Sequence, residues 1–278
     1  MNQKKIQYDW PSGRGDKWCE HLVCMEAMLQ AVDTPLIEAL SLDTPCRVAE
    51  IGCGGGGTTQ ALRAQAPKGS VIHGFDISKT LVEAARARTQ YDDLLFEHAD
   101  VSTKRHSQAP YDRLVSRFGV MFFKEPLVAF SNLRTWLREG GTFAFAVWGA
   151  PSENVWAKMV RDVVDEVLGL APSVPDSPGP FRYADVDAFV SLLEEAGFSD
   201  VTHRSWRGAL PVGGGFVAEE AARFALSSFS SFRELLDDAG ADVYARAHHT
   251  LTERFAPYER DGIVRIDALV HLVTGAVS

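Results

Sequence analysis

The chain has 278 residues, 46% hydrophobic and 23% charged, enough for one sizeable α/β domain with an insertion. Its net charge of -9 argues against gripping nucleic acid by phosphate neutralisation, so no nucleic-acid partner is expected. No apolar run approaches a membrane span, Met1 to Asp9 has no apolar signal core, and Cys19, Cys24, Cys46 and Cys53 lack C-x-x-C spacing; the expectation is a cytoplasmic chain with no membrane contact, zinc site or disulfide framework.

Asp16 to Leu40 reads as one or two helices, with Trp18, Leu22, Met25, Met28 and Leu29 on an apolar stripe whose preferred role is core packing. Arg47 to Ile51 is a short apolar strand carrying Glu50. It runs into Gly52-Cys53-Gly54-Gly55-Gly56-Gly57 and opens a helix at Thr58-Thr59. Glycine suits backbone that takes positive φ or lies close to a ligand, and the following helix points unpaired N–H groups back at the loop. A second strand, Ser70 to Asp76, ends in a carboxylate roughly 20 residues on, the distance of a ribose-binding acid, and Ser78 caps a helix to Gln90. Leu94 to Ala99 is a third strand, and Asp100-Val101 at its end is placed for an adenine amino group.

Read alone, the glycine loop is ambiguous. Gly52, Gly54 and Gly57 satisfy the G-x-G-x-x-G pattern of dinucleotide-binding folds. Glu50, Gly52, Gly54 and Gly56 equally satisfy the E/D-x-G-x-G-x-G pattern of class I S-adenosylmethionine-dependent methyltransferases. A dinucleotide needs a second mononucleotide half, yet the chain after Trp148 repeats no glycine fingerprint. Instead Phe198 to Trp206 and Ile263 to Thr274 read as two late strands, and the proline-rich Pro172 to Pro180 as a loop crossing the mouth of the site.

The segment Tyr111 to Phe123, the helix with Phe130-Ser131-Asn132-Leu133-Arg134, and Leu137-Arg138-Glu139-Gly140-Gly141 with Trp148 resemble a bacterial family of class I S-adenosylmethionine-dependent methyltransferases of the small-molecule type, similar to methyltransferase domains 11 and 25. Tyr8-Asp9-Trp10, Gly15 and Trp18, then Pro178 to Asp185, Glu195 to Phe198 and Gly262 to Arg265, extend the resemblance over nearly the whole chain. The run Gly54 to Gly57 departs from the family, which usually carries a single threonine, cysteine or alanine there, and is expected to loosen the loop. The resemblance implies an α/β, Rossmann-like seven-stranded fold, mostly parallel with the last strand antiparallel. A helical cap over 1–43 precedes a cofactor core over 44–150. Residues 151–278 complete the sheet and carry a helical lid over about 216–255.

It also implies S-adenosyl-L-methionine as cofactor, held by Glu50, Gly52, Cys53, Gly54, Gly56, Asp76, Ile77, Asp100, Val101, Ser116 and Phe118, with Trp18 and Tyr8 walling the site. Methyl transfer from a sulfonium is a direct displacement that asks the protein for alignment and exclusion of water, and for a base only if the acceptor arrives protonated. Ser116-Arg117-Phe118-Gly119 stands where enzymes acting on exocyclic amines carry an Asn/Asp-Pro-Pro-Tyr turn, which sets nucleic-acid bases and glutamine amides aside. Aromatic residues of the C-terminal half suit a small, flat acceptor if a few face the cofactor, so O- or N-methylation of an aromatic or secondary metabolite is the leading expectation. His203, His21 and Tyr183 are the candidate bases, although the preferred reading of His203 is a half-exposed strand residue. Arg117 reads either as a clamp for a substrate carboxylate or, preferably, as the partner of a surface acid. No metal is expected, and a homodimer is compatible with the sequence. Two alternatives stay open: cofactor chemistry other than methylation, such as cyclisation or elimination, and a non-catalytic binding protein.

Overall fold

The computed structural model describes residues 10–11, 13–170, 177–228 and 230–278. Three helices, α1 (Gly13–Glu20), α2 (Leu22–Leu29) and α3 (Asp33–Glu38), precede the first strand. Strand β1 (Arg47–Ile51) is followed by α4 (Gly57–Gln65), β2 (Val71–Asp76), α5 (Lys79–Arg88) and β3 (Leu95–His98). Next come β4 (Tyr111–Arg117), α6 (Pro126–Arg134), β5 (Leu137–Trp148), α7 (Val155–Leu168) and α8 (Val186–Glu195). The chain closes with β6 (Ser199–Pro211), α9 (Ala218–Ser228), α10 (Ser230–Ala239), α11 (Ala241–Phe255), the two-residue β7 (Glu259–Arg260) and β8 (Ile263–Ala276).

The sheet order is β3-β2-β1-β4-β5-β8-β6, with β7 pairing only to β8. β3, β2, β1, β4 and β5 run parallel. β8 lies antiparallel between β5 and β6. The expected sheet, mostly parallel with its last strand reversed, is therefore present. β1 and β2 read as near-continuous apolar runs because helices cover both faces, and all but their first residues are buried. The edge strand β6 alternates between half-buried and exposed positions along most of its length.

Strand order reverses between β1 and β4, and the crevice beyond the carboxyl ends of strands at such a point is where open α/β sheets take ligands. The loops after β1, β2, β3 and β4 all open there. The β1 loop is fixed to its neighbour, since the Gly52 and Cys53 N–H groups both donate to the Phe75 carbonyl at 2.8 and 2.9 Å. Ser78 caps α5 by accepting from the Leu81 N–H, as the sequence predicts.

The four-glycine run is used rather than loose. Gly54 and Gly56 take φ of 53° and 82°. Gly55 and Gly57 instead allow α2 to lie on the loop: a Cβ on Gly55 would sit 2.4 Å from the Leu22 side chain, and one on Gly57 3.0 Å from Glu26.

Candidate active site

A cavity of about 550 Å³ opens over the β1/β4 crevice. The carboxyl ends of the strands build its floor, with Glu50 and the glycine loop after β1, Asp76 and Ile77 after β2, Asp100 and Val101 after β3, and Arg117 and Phe118 after β4. The N-terminal helices supply another wall through Trp18, Met25, Glu26, Met28 and Leu29.

Asp76 is bonded through both oxygens. Oδ2 accepts the Gly54 N–H and Oδ1 the Ser78 N–H, each at 2.8 Å. Burial raises its pKa above the ordinary carboxylate value, although those two donors oppose the shift. The glycine loop and the start of α5 therefore fix one carboxylate at the cavity floor. Asp100 is exposed, and its Oδ1 accepts the Ser102 N–H at 2.9 Å and the Ser102 hydroxyl at 2.6 Å.

Glu50 is 1% exposed, and its Oε2 accepts the Thr59 hydroxyl. Burial pushes its pKa up to about 8, against the Thr59 bond and the Arg117 charge, which lower it. At neutral pH this carboxyl is largely protonated. Arg117 Nη1 donates to Asp33 Oδ2 at 3.1 Å, and Thr58 donates to Asp33 Oδ1 at 2.7 Å. The expected acid partner of Arg117 exists, but it is a buried residue of the N-terminal helices and not a surface one.

Cys53 lines the cavity with its thiol pKa held well above the ordinary value, first by burial and then by the Asp76 and Glu50 charges. It is an unreactive small side chain.

Aromatic rings line the cavity together with the strand-end acids. Phe118 stacks on Trp148 at 4.1 Å and 6°, and Trp148 meets Trp156 edge-on at 5.4 Å. Phe118 holds φ at 66°, a conformation costly for a bulky residue and concentrated at functional positions, and the Trp148 stack helps to hold it there. On the helical side Trp10 meets Trp18 edge-on at 5.6 Å and Phe122 at 4.9 Å.

The structure does not bring every expected residue to this cavity. Tyr8 lies outside the described residues. Ser116 points away, its hydroxyl donating to the Ile51 carbonyl at 2.7 Å and accepting from the Gly119 N–H, so it ties β1 to β4. Gly56 caps α4 and packs beside Phe96.

None of the three candidate bases reaches the wall. His203 sits on the edge strand β6, 3.4 Å from Asp187, separated from β4 by β8 and β5. His21 joins α1 to α2 and meets the Phe224 ring edge-on. Tyr183 is 5% exposed and stacked on Phe189 at 4.0 Å, and burial drives its hydroxyl pKa far upward, opposite to what a base needs. Of the C-terminal aromatics, Trp156 alone lines the cavity among the described residues; no residue of the expected lid over 216–255 does.

Sequence reasoning missed Asp33, which carries no local motif, and gave Met25, Met28 and Leu29 to the core when they also face the cavity. Glu26 was likewise unread. Its Oε1 accepts the Gly57 N–H at 3.2 Å at the start of α4, and Arg88 holds its Oε2 at 2.6 Å. The helix N-terminus that would seat a pyrophosphate already carries the protein's own carboxylate, which speaks against a dinucleotide.

A seven-strand order with a reversed inner strand, and an acid-floored cavity at its switch point, define the Rossmann-like class I methyltransferase architecture. Residues 49–145 match the family model described as methyltransferase domain. The chain is 28% identical over 171 residues to phosphoethanolamine N-methyltransferase 1 of Triticum aestivum, covering 59% of this chain and spanning 30% of the length of that enzyme. It is 27% identical over 233 residues to trans-aconitate 2-methyltransferase of Methylobacterium nodulans, covering 82% of this chain and 86% of that one. Phosphoethanolamine N-methyltransferase 2 of Haemonchus contortus, solved with phosphomonomethylethanolamine and S-adenosylhomocysteine, shares the fold with a TM-score of 0.57 at 12% identity, over 95% of this chain and 60% of that one. Through residues 49–145 and the shared fold, the chain is similar to the class I methyltransferases, whose cofactor is S-adenosylmethionine.

Proposed function

We propose that this protein transfers the methyl group of S-adenosylmethionine to an oxygen or nitrogen of a small aromatic or secondary-metabolite acceptor by direct in-line displacement. The observation that carries the reading is a single cavity lined both by the acids and glycines at the strand ends and by the aromatic rings of Phe118, Trp148 and Trp156. Asp76 binds the ribose hydroxyls, Asp100 and Val101 take the adenine edge, Ile77 packs on the ring, and Glu50 with Gly52 to Gly54 bounds the methionine end. Trp18 closes the cofactor from the helical side. The two relatives named above carry the names of small-molecule acceptors, which supports the size of the substrate and leaves its identity to experiment.

Among the described residues no histidine lines the cavity, so the chain's contribution is alignment and exclusion of water. Orientation of this kind supplies roughly 7–11 kcal/mol of a barrier in the best model reactions. No described helix is long and apolar enough to cross a membrane, and the free cysteines fit a reducing, cytoplasmic setting.

The test is incubation with methyl-labelled S-adenosylmethionine and a panel of small phenols, aromatic acids and amines, followed by mass spectrometry. A methylated acceptor appearing with an equal amount of S-adenosylhomocysteine supports the reading. Acceptor-independent conversion of the cofactor to another product would replace it with cyclisation or elimination chemistry.

A further inference from the structure

We infer that the guanidinium of Arg117, held in place by Asp33, is a built subsite for a ligand carboxylate within the cavity. The inference rests on the methyltransferase reading and adds a chemical class of ligand to it. Arg117 ends β4, lines the cavity and has a side chain only 10% exposed. Asp33, itself 9% exposed, takes Nη1 through Oδ2, while Thr58 on α4 fixes its other oxygen. The arginine is thus oriented from the N-terminal helices and from the helix behind the glycine loop.

That ion pair uses one edge of the guanidinium. A guanidinium carries five N–H donors in a rigid fork, matched to two parallel bonds with a carboxylate. Among the described residues the remaining nitrogens of Arg117 make no hydrogen bond, yet they are not among the buried side-chain nitrogens that lack a partner. They are therefore open to the cavity and not sealed in the core.

The surrounding charges leave the arginine effective. Glu50, which acts on it electrostatically, is largely protonated at neutral pH, so Asp33 is the charged partner that holds it. A purely structural account is weak, because a buried pair rarely stabilises a fold more than apolar side chains of the same volume. A cation with a side chain only 10% exposed, in a cavity also lined by Phe118, Trp148, Met28 and Leu29, sees little water, and an anion bound to it gains charge-assisted bonds with little screening.

Two ligands in such a cavity carry a carboxylate: the methionine moiety of the cofactor and an acidic acceptor. Calorimetry on the wild type and Arg117→Gln separates them. One arm compares S-adenosylhomocysteine with 5′-methylthioadenosine, which lacks the amino-acid moiety. The other compares salicylate, 4-hydroxybenzoate and cinnamate with their amides, on protein saturated with S-adenosylhomocysteine.

A loss of tenfold or more for S-adenosylhomocysteine with 5′-methylthioadenosine unchanged assigns the subsite to the cofactor. A loss of that size for an acid with its amide unchanged assigns it to the acceptor. Equal effects on S-adenosylhomocysteine and 5′-methylthioadenosine, with no acid binding the wild type better than its amide, would overturn the inference. The double variant Asp33→Asn with Arg117→Gln leaves no uncompensated buried charge and repeats the test if the single variant fails to fold. Wild-type protein that ignores both adenosine ligands would sink the methyltransferase reading, while the acid and amide arm, then run on the unliganded protein, still judges Arg117.

Discussion

Two helical additions flank the same sheet, and they relate to the cavity differently. The N-terminal helices α1 and α2 wall it, with Trp18, Met25 and Met28 at its surface and Leu22 and Glu26 laid on the glycine loop. The larger insertion α9 to α11 contributes no residue to it among those described. Chain position explains the difference. The first helices lead straight into β1 and come to rest above its loop, whereas the insertion joins β6 to β8 at the edge of the sheet and packs on α7. It meets the first helices from behind, through the His21–Phe224 ring contact and the ion pair of Lys17 with Glu234. Membership of a helical cap does not by itself place a segment over the substrate; the strand ends it connects decide that.

The comparison is sharpened most by substitutions in the insertion. Phe255 on α11 is 1% exposed, and Phe255→Ala is expected to cost about 3–5 kcal/mol of stability in urea unfolding through the cavity it leaves. Affinity for S-adenosylhomocysteine should stay within twofold. A tenfold loss in the folded variant would give the insertion a direct role and break the contrast.

Glu50 tests the floor. Its folded pKa of about 8 lies above the ordinary 4.5, so the folded state holds the proton more tightly than the unfolded chain. Stability contributed by this group is complete below pH 4.5 and is lost as pH rises towards 8. Glu50→Gln removes that loss, and its stability relative to wild type should improve by about 2–4 kcal/mol between pH 5 and pH 9. A difference that does not change with pH would show that Glu50 is ionised throughout.

Asp76→Ala should weaken S-adenosylhomocysteine binding by about 1–3 kcal/mol as its charge-assisted bonds are lost. Unchanged affinity in calorimetry would remove Asp76 from the ribose role. Gly55→Ala drives a methyl group into Leu22 and should cost about 1–3 kcal/mol by thermal unfolding, with weaker cofactor binding if α2 shifts off the loop. The smallest effect belongs to Lys17→Ala. Its pair with Glu234 is 31% and 67% exposed, so less than about 1 kcal/mol is expected in the same assay, with binding unaltered.

The cofactor floor was legible in the sequence because its parts are contiguous. A strand, a glycine loop and a helix start lie within a dozen residues, and Asp76 and Asp100 mark the ends of the next two strands. The parts that escaped depend on side-chain direction or on contacts distant in the chain. Ser116 and Arg117 are adjacent on β4, and alternation sends the first to the Ile51 carbonyl and the second to the cavity. Asp33 meets Arg117 across 84 residues and has no signature of its own. His203 reads correctly as a strand residue, but its place on the edge of the sheet follows from strand order, which no local pattern specifies. Glycine number was legible while its cause was not: Gly55 and Gly57 answer to α2, which packs on the loop from outside the motif.

The central claim is that this floor holds an adenosylated sulfur cofactor and excludes a dinucleotide, because Glu26 already occupies the start of α4. Titrating the purified protein with S-adenosylhomocysteine and, separately, with NADH in a calorimeter tests it most directly. Micromolar binding of the sulfur ligand with no heat from NADH is the predicted result. Binding of NADH alone would contradict the account of the glycine loop and of the site built on it.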